Sequence, residues 1–297
     1  MKKLNIIILI TICFLSCKNE TENIKVRFLT EKIPGDIPIE FKEIIIPNNK
    51  LIHKGIFSPD LKEYYYTISD KGFEQFDVYA MKKQNGTWSK AEKAFFNSDH
   101  SEHGMSFSPD GNSLYFSSTR PVNIDGVSET WHIWKSTKID GKWNEPTFVD
   151  IPNLRDKLVS HPTIANSGTI YFHASNLDYS EMDIYHSNQV NGSFENAEKT
   201  PISVNLQVGK CTPYFSPKED YLIFASIGHQ LDLMISFNDG KGKWGNTKIL
   251  NEKINKFGQG NPYVTPDNKF LFFTSGNNSD QKWKVKWVNI ESELKVN

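Results

Sequence analysis

Outside its first seventeen residues the sequence is almost without cysteine. Cys13 and Cys17 lie in that segment, which leaves Cys211 as the single thiol of the remainder, so that remainder can close no disulfide of its own. It must be stable by its core. A surplus of charge is missing too: 34 Lys and Arg against 35 Asp and Glu give a net charge of -1. No overall field holds such a chain on nucleic acid or draws it to an anionic membrane, so partners must be found by local chemistry. Beyond residue 17 no apolar run approaches the 18 or so residues of a spanning helix. No stretch keeps a 3.6-residue apolar period, which excludes alternating helices. Missing as well are a Gly-x-Ser-x-Gly elbow, a His-Glu-x-x-His pair and any phosphate-cradling glycine pattern. What is plentiful is aromatic residues, 13% of the chain, with a charged fraction of 23% that argues against a disordered body.

The N-terminus reads as an export signal. Met1-Lys2-Lys3 is a short cationic region and Leu4 to Leu15 a mostly apolar run, too short for a permanent span. Phe14-Leu15-Ser16-Cys17 then resembles the lipobox of bacterial lipoproteins, with Leu one position later than usual. The resemblance implies cleavage before Cys17 and acylation of its thiol, an anchor that needs no further membrane element. Lys18, not Asp, follows the cysteine, which favours the outer membrane. The expected division is a signal peptide over 1–16, a lipidated tether over 17–40 with breakers at Pro34-Gly35-Asp36 and Pro38, and one domain over 41–297.

That domain is repetitive. Phe57-Ser58-Pro59-Asp60, Phe107-Ser108-Pro109-Asp110-Gly111, Ile164-Ala165-Asn166-Ser167-Gly168, Phe215-Ser216-Pro217-Lys218-Glu219 and Val264-Thr265-Pro266-Asp267-Asn268 recur at intervals of 50, 57, 51 and 49 residues. An aromatic, β-branched stretch follows each, such as Tyr64-Tyr65-Tyr66 and Leu114-Tyr115-Phe116. A third strand starts at Asp77-Val78-Tyr79 and its equivalents, and runs into Asn-Gly or Asp-Gly turns at Asn85-Gly86, Asp140-Gly141 and Asn191-Gly192. Each repeat is thus an antiparallel four-stranded meander. Five of them predict an all-β propeller of five blades, the last completed by an N-terminal strand at Ile44-Ile45-Ile46; six blades would need about fifty more residues. Ala165-Asn166-Ser167 breaks the turn pattern of blade three.

Phe107-Ser108-Pro109-Asp110-Gly111 with Leu114-Tyr115-Phe116 behind it resembles the WD40-like PD40 repeat of TolB-type propellers, in versions found in Bacteroidota envelope proteins. The resemblance implies a fold, while propellers of this kind serve as partner-binding platforms, as modules of larger envelope proteins and as caps on peptidases. Ser108-Pro109-Asp110-Gly111 does not match the sialidase Asp-box, since it lacks a Gly two places after Asp110.

One polar constellation stands out. His53, His103, His161, Cys211 and Asn261 precede the five anchors by four, four, three, four and three residues, with Glu102, Lys210 and Gln259 beside them. First strands line a propeller's channel, so these positions are candidates for one binding rim. His53, His103 and His161 are candidate ligands for a divalent metal ion; the other reading is that polar residues hydrate a channel mouth and cap strand ends. Trp88, Trp143 and Trp244 occupy equivalent places and read as packing. The inserts Pro121 to Thr130 and Asn176 to Glu181 are candidate binding loops. The expected function is a non-catalytic, membrane-tethered module of the envelope that presents a propeller face to a protein or glycan and needs no cofactor. The alternative is a metal-assisted lyase or hydrolase acting on a saccharide or peptide at the histidine rim.

Overall fold

A computed structural model describes residues 32–41, 49–202, 209–276 and 283–295. Among the described residues are five antiparallel sheets of the expected meander order, the blades of a five-bladed β-propeller, and a two-stranded ribbon of Gln189–Val190 with Ser193–Phe194. The innermost strands are Lys50–Phe57, Glu102–Phe107, Leu158–Ile164, Gly209–Phe215 and Gly258–Val264, one for each blade. Each touches the next, and Gly258–Val264 touches Lys50–Phe57 again, so the ring is closed. Apolar clusters fill the spaces between blades: Ile56, Tyr65, Met105 and Phe116 join blades one and two, and Leu233, Ile235, Leu271 and Phe273 join four and five. Such seams bury residues from both faces of a strand, which explains continuous buried runs like Ser113–Ser118 where a two-layer sheet would alternate.

The recurring turn works through its hydroxyl. In blade one Ser58 Oγ donates to Asp60 Oδ1 at 2.7 Å and accepts the Glu63 N–H at 2.9 Å; Ser108 and Thr265 repeat this in blades two and five. All five turns also share a backbone bond over three residues, and the residue that donates it has positive φ: Leu61, Gly111, Gly168, Glu219 and Asn268. Blade three therefore makes the same turn as the others. Ser167 stands where Asp60 and Asp267 stand, its Oγ accepting the Thr169 N–H at 3.2 Å as Asp267 accepts that of Lys269.

The ring is closed from the N-terminus; Ile44-Ile45-Ile46, the strand expected there, lies outside the described residues. Ile39–Glu40 pairs with the last strand, Ile39 opposite Trp287 and Glu40 opposite Lys286, and Asn289 N–H reaches Gly35 O at 2.9 Å. The compact unit begins at Pro34, inside the breaker-rich segment. Prolines and glycine there read as tether because a two-residue edge strand leaves no periodic signal. Phe41 locks the joint. It is buried against Phe57 and Tyr64 of blade one and Phe272 and Trp287 of blade five, at centroid distances of 6.5, 5.6, 5.2 and 5.9 Å.

Candidate functional site: the histidine mouth of the channel

Every innermost strand carries a β-bulge, at the same depth in blades two to five and one residue earlier in blade one: the pairing register shifts between Ile52 and Gly55, His103 and Ser106, Ser160 and Thr163, Cys211 and Tyr214, and Gly260 and Tyr263. Counted three residues back from the anchor pairs, Lys54, Gly104, His161, Thr212 and Asn261 are equivalent. Four of them have left-handed backbone, with φ of 63° at Gly104, 56° at His161, 46° at Thr212 and 55° at Asn261. A bulge re-aims a side chain, and here it turns one ring of residues toward the channel. His53 and His103 lie one position earlier in the repeat. That is why the histidine offsets vary.

The bulges are bonded to one another. His161 Nε2 and Asn261 Oδ1 lie 2.9 Å apart, Asn261 N–H donates to Thr212 Oγ1 at 3.2 Å, and Thr212 N–H donates to His173 Nδ1 at 3.1 Å. Ser117 Oγ accepts the His161 N–H at 2.9 Å, and Ser160 Oγ lies 3.1 Å from His161 Nδ1. The imidazoles form a file, His103 tilted against His161 at a centroid distance of 4.5 Å and His161 stacked on His173 at 4.9 Å. Gly104 allows this approach, since a Cβ there would sit 3.2 Å from the His161 backbone. Trp131, at the end of the 121–130 insert, packs edge-on against His103 at 4.0 Å, and Phe76 lies between His53 and His103 at 5.3 and 5.4 Å.

The file is held neutral. Burial lowers His103 and His161 well below the ordinary imidazole value, and the neighbouring rings and Lys54 push the same way. Burial takes His53 down to about 4, where its Nε2 lies 2.8 Å from Ser69 Oγ. His173 falls to about 3, by burial and then by Lys54; the Thr212 N–H aimed at its Nδ1 leaves no room for a second ring proton. Burial draws the Lys54 ammonium down to about 7.

Five blades thus surround one cavity of about 210 Å³, lined by His53, Lys54, Phe73, Phe76, His103, His161, Thr212 and Asn261 among others. No carboxylate of the described residues lines it. The expected rim is therefore partly assembled: His53, His103, His161 and Asn261 meet there, whereas Glu102, Lys210 and Cys211 do not. Glu102 is fully buried in blade two, where its carboxylate takes Arg120 and Ser118 at 3.0 Å each. Lys210 pairs with Asp183 of blade three at 2.7 Å. Cys211 packs in the seam between blades four and five, its thiol pushed up to about 12 by burial. Residue order cannot show these departures, because neighbours on a strand point to opposite faces. Lys54, Thr212, His173 and Phe76 carry no signal in the sequence for the converse reason: only the bulge or a neighbouring strand brings them in.

His161 faces Asn261 and Ser160, His53 faces Ser69, and no group of three or more His, Cys, Asp or Glu side chains among the described residues converges on one point. A larger groove of about 650 Å³ lies between blades three and four, lined by Tyr171, His186, Glu219 and Trp244. Its aromatic Tyr171 is already committed, stacked on Phe215 at 3.6 Å and donating to Glu219 at 2.6 Å.

No protein-family model and no curated protein matches the chain. Among solved structures, one described as a complex of BT0996 and RGII superposes with a TM-score of 0.55 at 8% identity, over 86% of this chain and 90% of that one. One described as "Glycoside hydrolase" gives 0.52 at 8% identity, with the same 86% and 90%. At that identity the likeness is one of fold, and the fold is a β-propeller.

Proposed function

We propose that the chain is a binding module of the bacterial envelope, a TolB-type propeller tethered to the outer membrane through Cys17, whose histidine mouth receives the end of a glycan or of a partner protein. The observation that carries this reading is a cavity to which all five blades contribute, with polar donors at its floor and Phe73 and Phe76 at its wall. A site built across every blade exists only in the closed ring, as a preorganised site should. Aromatic faces beside hydrogen-bonding groups suit a sugar ring, which offers C–H faces and hydroxyl edges together. Binding without chemistry is favoured over hydrolysis, because the paired carboxylates of most glycosidases have no counterpart among the lining side chains.

Screening the protein against immobilised saccharides and envelope extracts tests the reading. Binding is expected to fall by about tenfold or more in His103→Ala and in Phe73→Ala, the loss of roughly 1.4 kcal/mol of contact. Undiminished binding in both variants would place the working surface elsewhere, with the 121–130 insert next in line.

A second reading, a saccharide-acting enzyme, draws on His103 and His161, whose neutral rings can accept a proton. Release of a new reducing end or an unsaturated product from a bound saccharide would favour it.

A further inference from the structure

Lys54 has no counter-charge. It is only 3% exposed, and it makes no hydrogen bond or ion pair with any described residue. It lines the histidine mouth and also a second cavity of about 260 Å³ on the other side, whose wall is Ile56, Phe57, Met105, Tyr214 and Tyr263. The residue therefore stands where the two cavities meet on the channel axis. The titratable groups that face it are His53, His103 and His161 from the mouth, His173 behind them, and Tyr214 and Tyr263 from the far side. None of these is an anion at neutral pH, and among the described residues no Asp or Glu lines either cavity.

A cation buried without an anion is a standing cost to the fold, and proteins rarely bury lysine unpaired. Glu102, the nearest carboxylate in sequence order among the rim candidates, is occupied by Arg120. We infer that Lys54 is the charge-reading group of the channel, and that it receives the carboxylate of a small monoanionic ligand entering by the histidine mouth. This rests on the mouth being a binding site and names its ligand class. On the mouth side Asn261, Thr212 and the imidazoles supply hydrogen-bonding groups beside the ammonium, while the second cavity sets Ser106, Ser108 and Thr163 among Phe57, Tyr214 and Tyr263. The charge follows from the count. Lys54, held in its ammonium form by a bound carboxylate, matches one negative charge among neutral rings, and a phosphate dianion would leave an unmatched charge in a buried site. Size agrees, since about 210 Å³ is below the roughly 300–1,000 Å³ of drug-sized pockets and suits a single sugar acid or smaller.

Calorimetric titration of the protein with sodium glucuronate, glucose and inorganic phosphate tests this, using the unaltered chain, Lys54→Met, Lys54→Gln and Phe73→Ala. Glucuronate should bind the unaltered protein at least about tenfold more tightly than glucose or phosphate, and both Lys54 variants should reduce it to the glucose level, as expected when a hydrogen bond to a charged group is lost. Thermal melts of the same samples confirm that the variants are folded. Equal affinity for glucuronate and glucose, stronger binding of phosphate, unchanged glucuronate affinity in both folded Lys54 variants, or no saturable glucuronate binding at all would overturn the assignment. The reading of the mouth is separable. If Phe73→Ala weakens every probe while the Lys54 variants weaken none, the mouth remains a binding site and Lys54 is not its charge reader; if Phe73→Ala leaves glucuronate unaffected, the mouth itself is in doubt.

Discussion

His161 of blade three and Asn261 of blade five, a hundred residues apart in the chain, meet at 2.9 Å through Nε2 and Oδ1. Both sit on equivalent bulges with φ near 55°, at 56° and 55°, so a strained backbone repeated around the ring aims two side chains at one point. Oδ1 accepts the Nε2 proton, and Nδ1 of the neutral ring faces Ser160 Oγ at 3.1 Å. Asn261→Ala removes that acceptor and leaves a buried N–H unpaired, so urea unfolding should show a loss of about 1–3 kcal/mol. Asn261→Asp should instead raise the His161 pKa by several-tenths of a unit or more, read from its ring resonances by NMR, because it places a negative charge against the ring. An unmoved resonance would mean the contact is not made in solution.

Acid should weaken the fold. The histidines of the file have folded-state pKa values below the unfolded 6.5, so the unfolded chain binds protons first as pH falls. Their contribution is complete above about pH 6.5 and is lost progressively below it, through about 4 for His53 and about 3 for His173. Each group contributes up to about 1.4 kcal/mol per pH unit. Unfolding free energies measured from pH 8 to 5 should drop steadily below 6.5, and a flat profile would contradict the buried file.

Lys54 titrates at about 7 in the fold and near 10.5 when unfolded. Between those values the unfolded chain holds the extra proton, so stability rises with pH across the window and Lys54 costs the fold most at its lower end and below. Lys54→Met should therefore stabilise the protein at pH 7 by roughly 2–5 kcal/mol, the gain shrinking toward pH 10. A destabilised variant at pH 7 would show that the ammonium has found a partner.

Phe41→Ala should cost about 3–5 kcal/mol, the range for a large buried ring, because it opens the seam between the first and last blades. Truncation through Phe41 should lower the melting temperature far more than truncation through Ile33. Equal melting of the two forms would argue against closure by Ile39–Glu40.

Much of this architecture is legible in the sequence, and for physical reasons. Pro59, Asp110 and Gly111 punctuate turns because each sets a backbone angle, and the runs behind them are apolar because blade seams bury both strand faces. The mouth is half legible. His53, His103, His161 and Asn261 stand at similar distances from their anchors, but a one-residue bulge decides which neighbour points inward. Glu102 and Lys210 therefore read as rim residues although neither lines the mouth, and Lys54, which does, is inconspicuous beside His53. The closing strand is hidden because Ile39 and Glu40 form only two pairs with Trp287 and Lys286.

The proposed anchor is tested at Cys17. Cys17→Ser should move the protein from the membrane to the soluble fraction and abolish incorporation of labelled fatty acid; membrane retention together with labelling would rule out the lipoprotein reading.

Hydroxyl-radical footprinting with and without a saccharide captured in the binding screen tests the central claim most directly, because it reports on side chains. Phe73 is 44% exposed at the mouth, with Phe76, His103 and Trp131 beside it. The account predicts that the ligand protects these four from oxidation while exposed rings outside the cavity lining, such as Tyr179 and Phe257, are unaffected. Protection confined to Tyr179, Phe257 or the groove around Trp244, with the mouth still fully reactive, would contradict it.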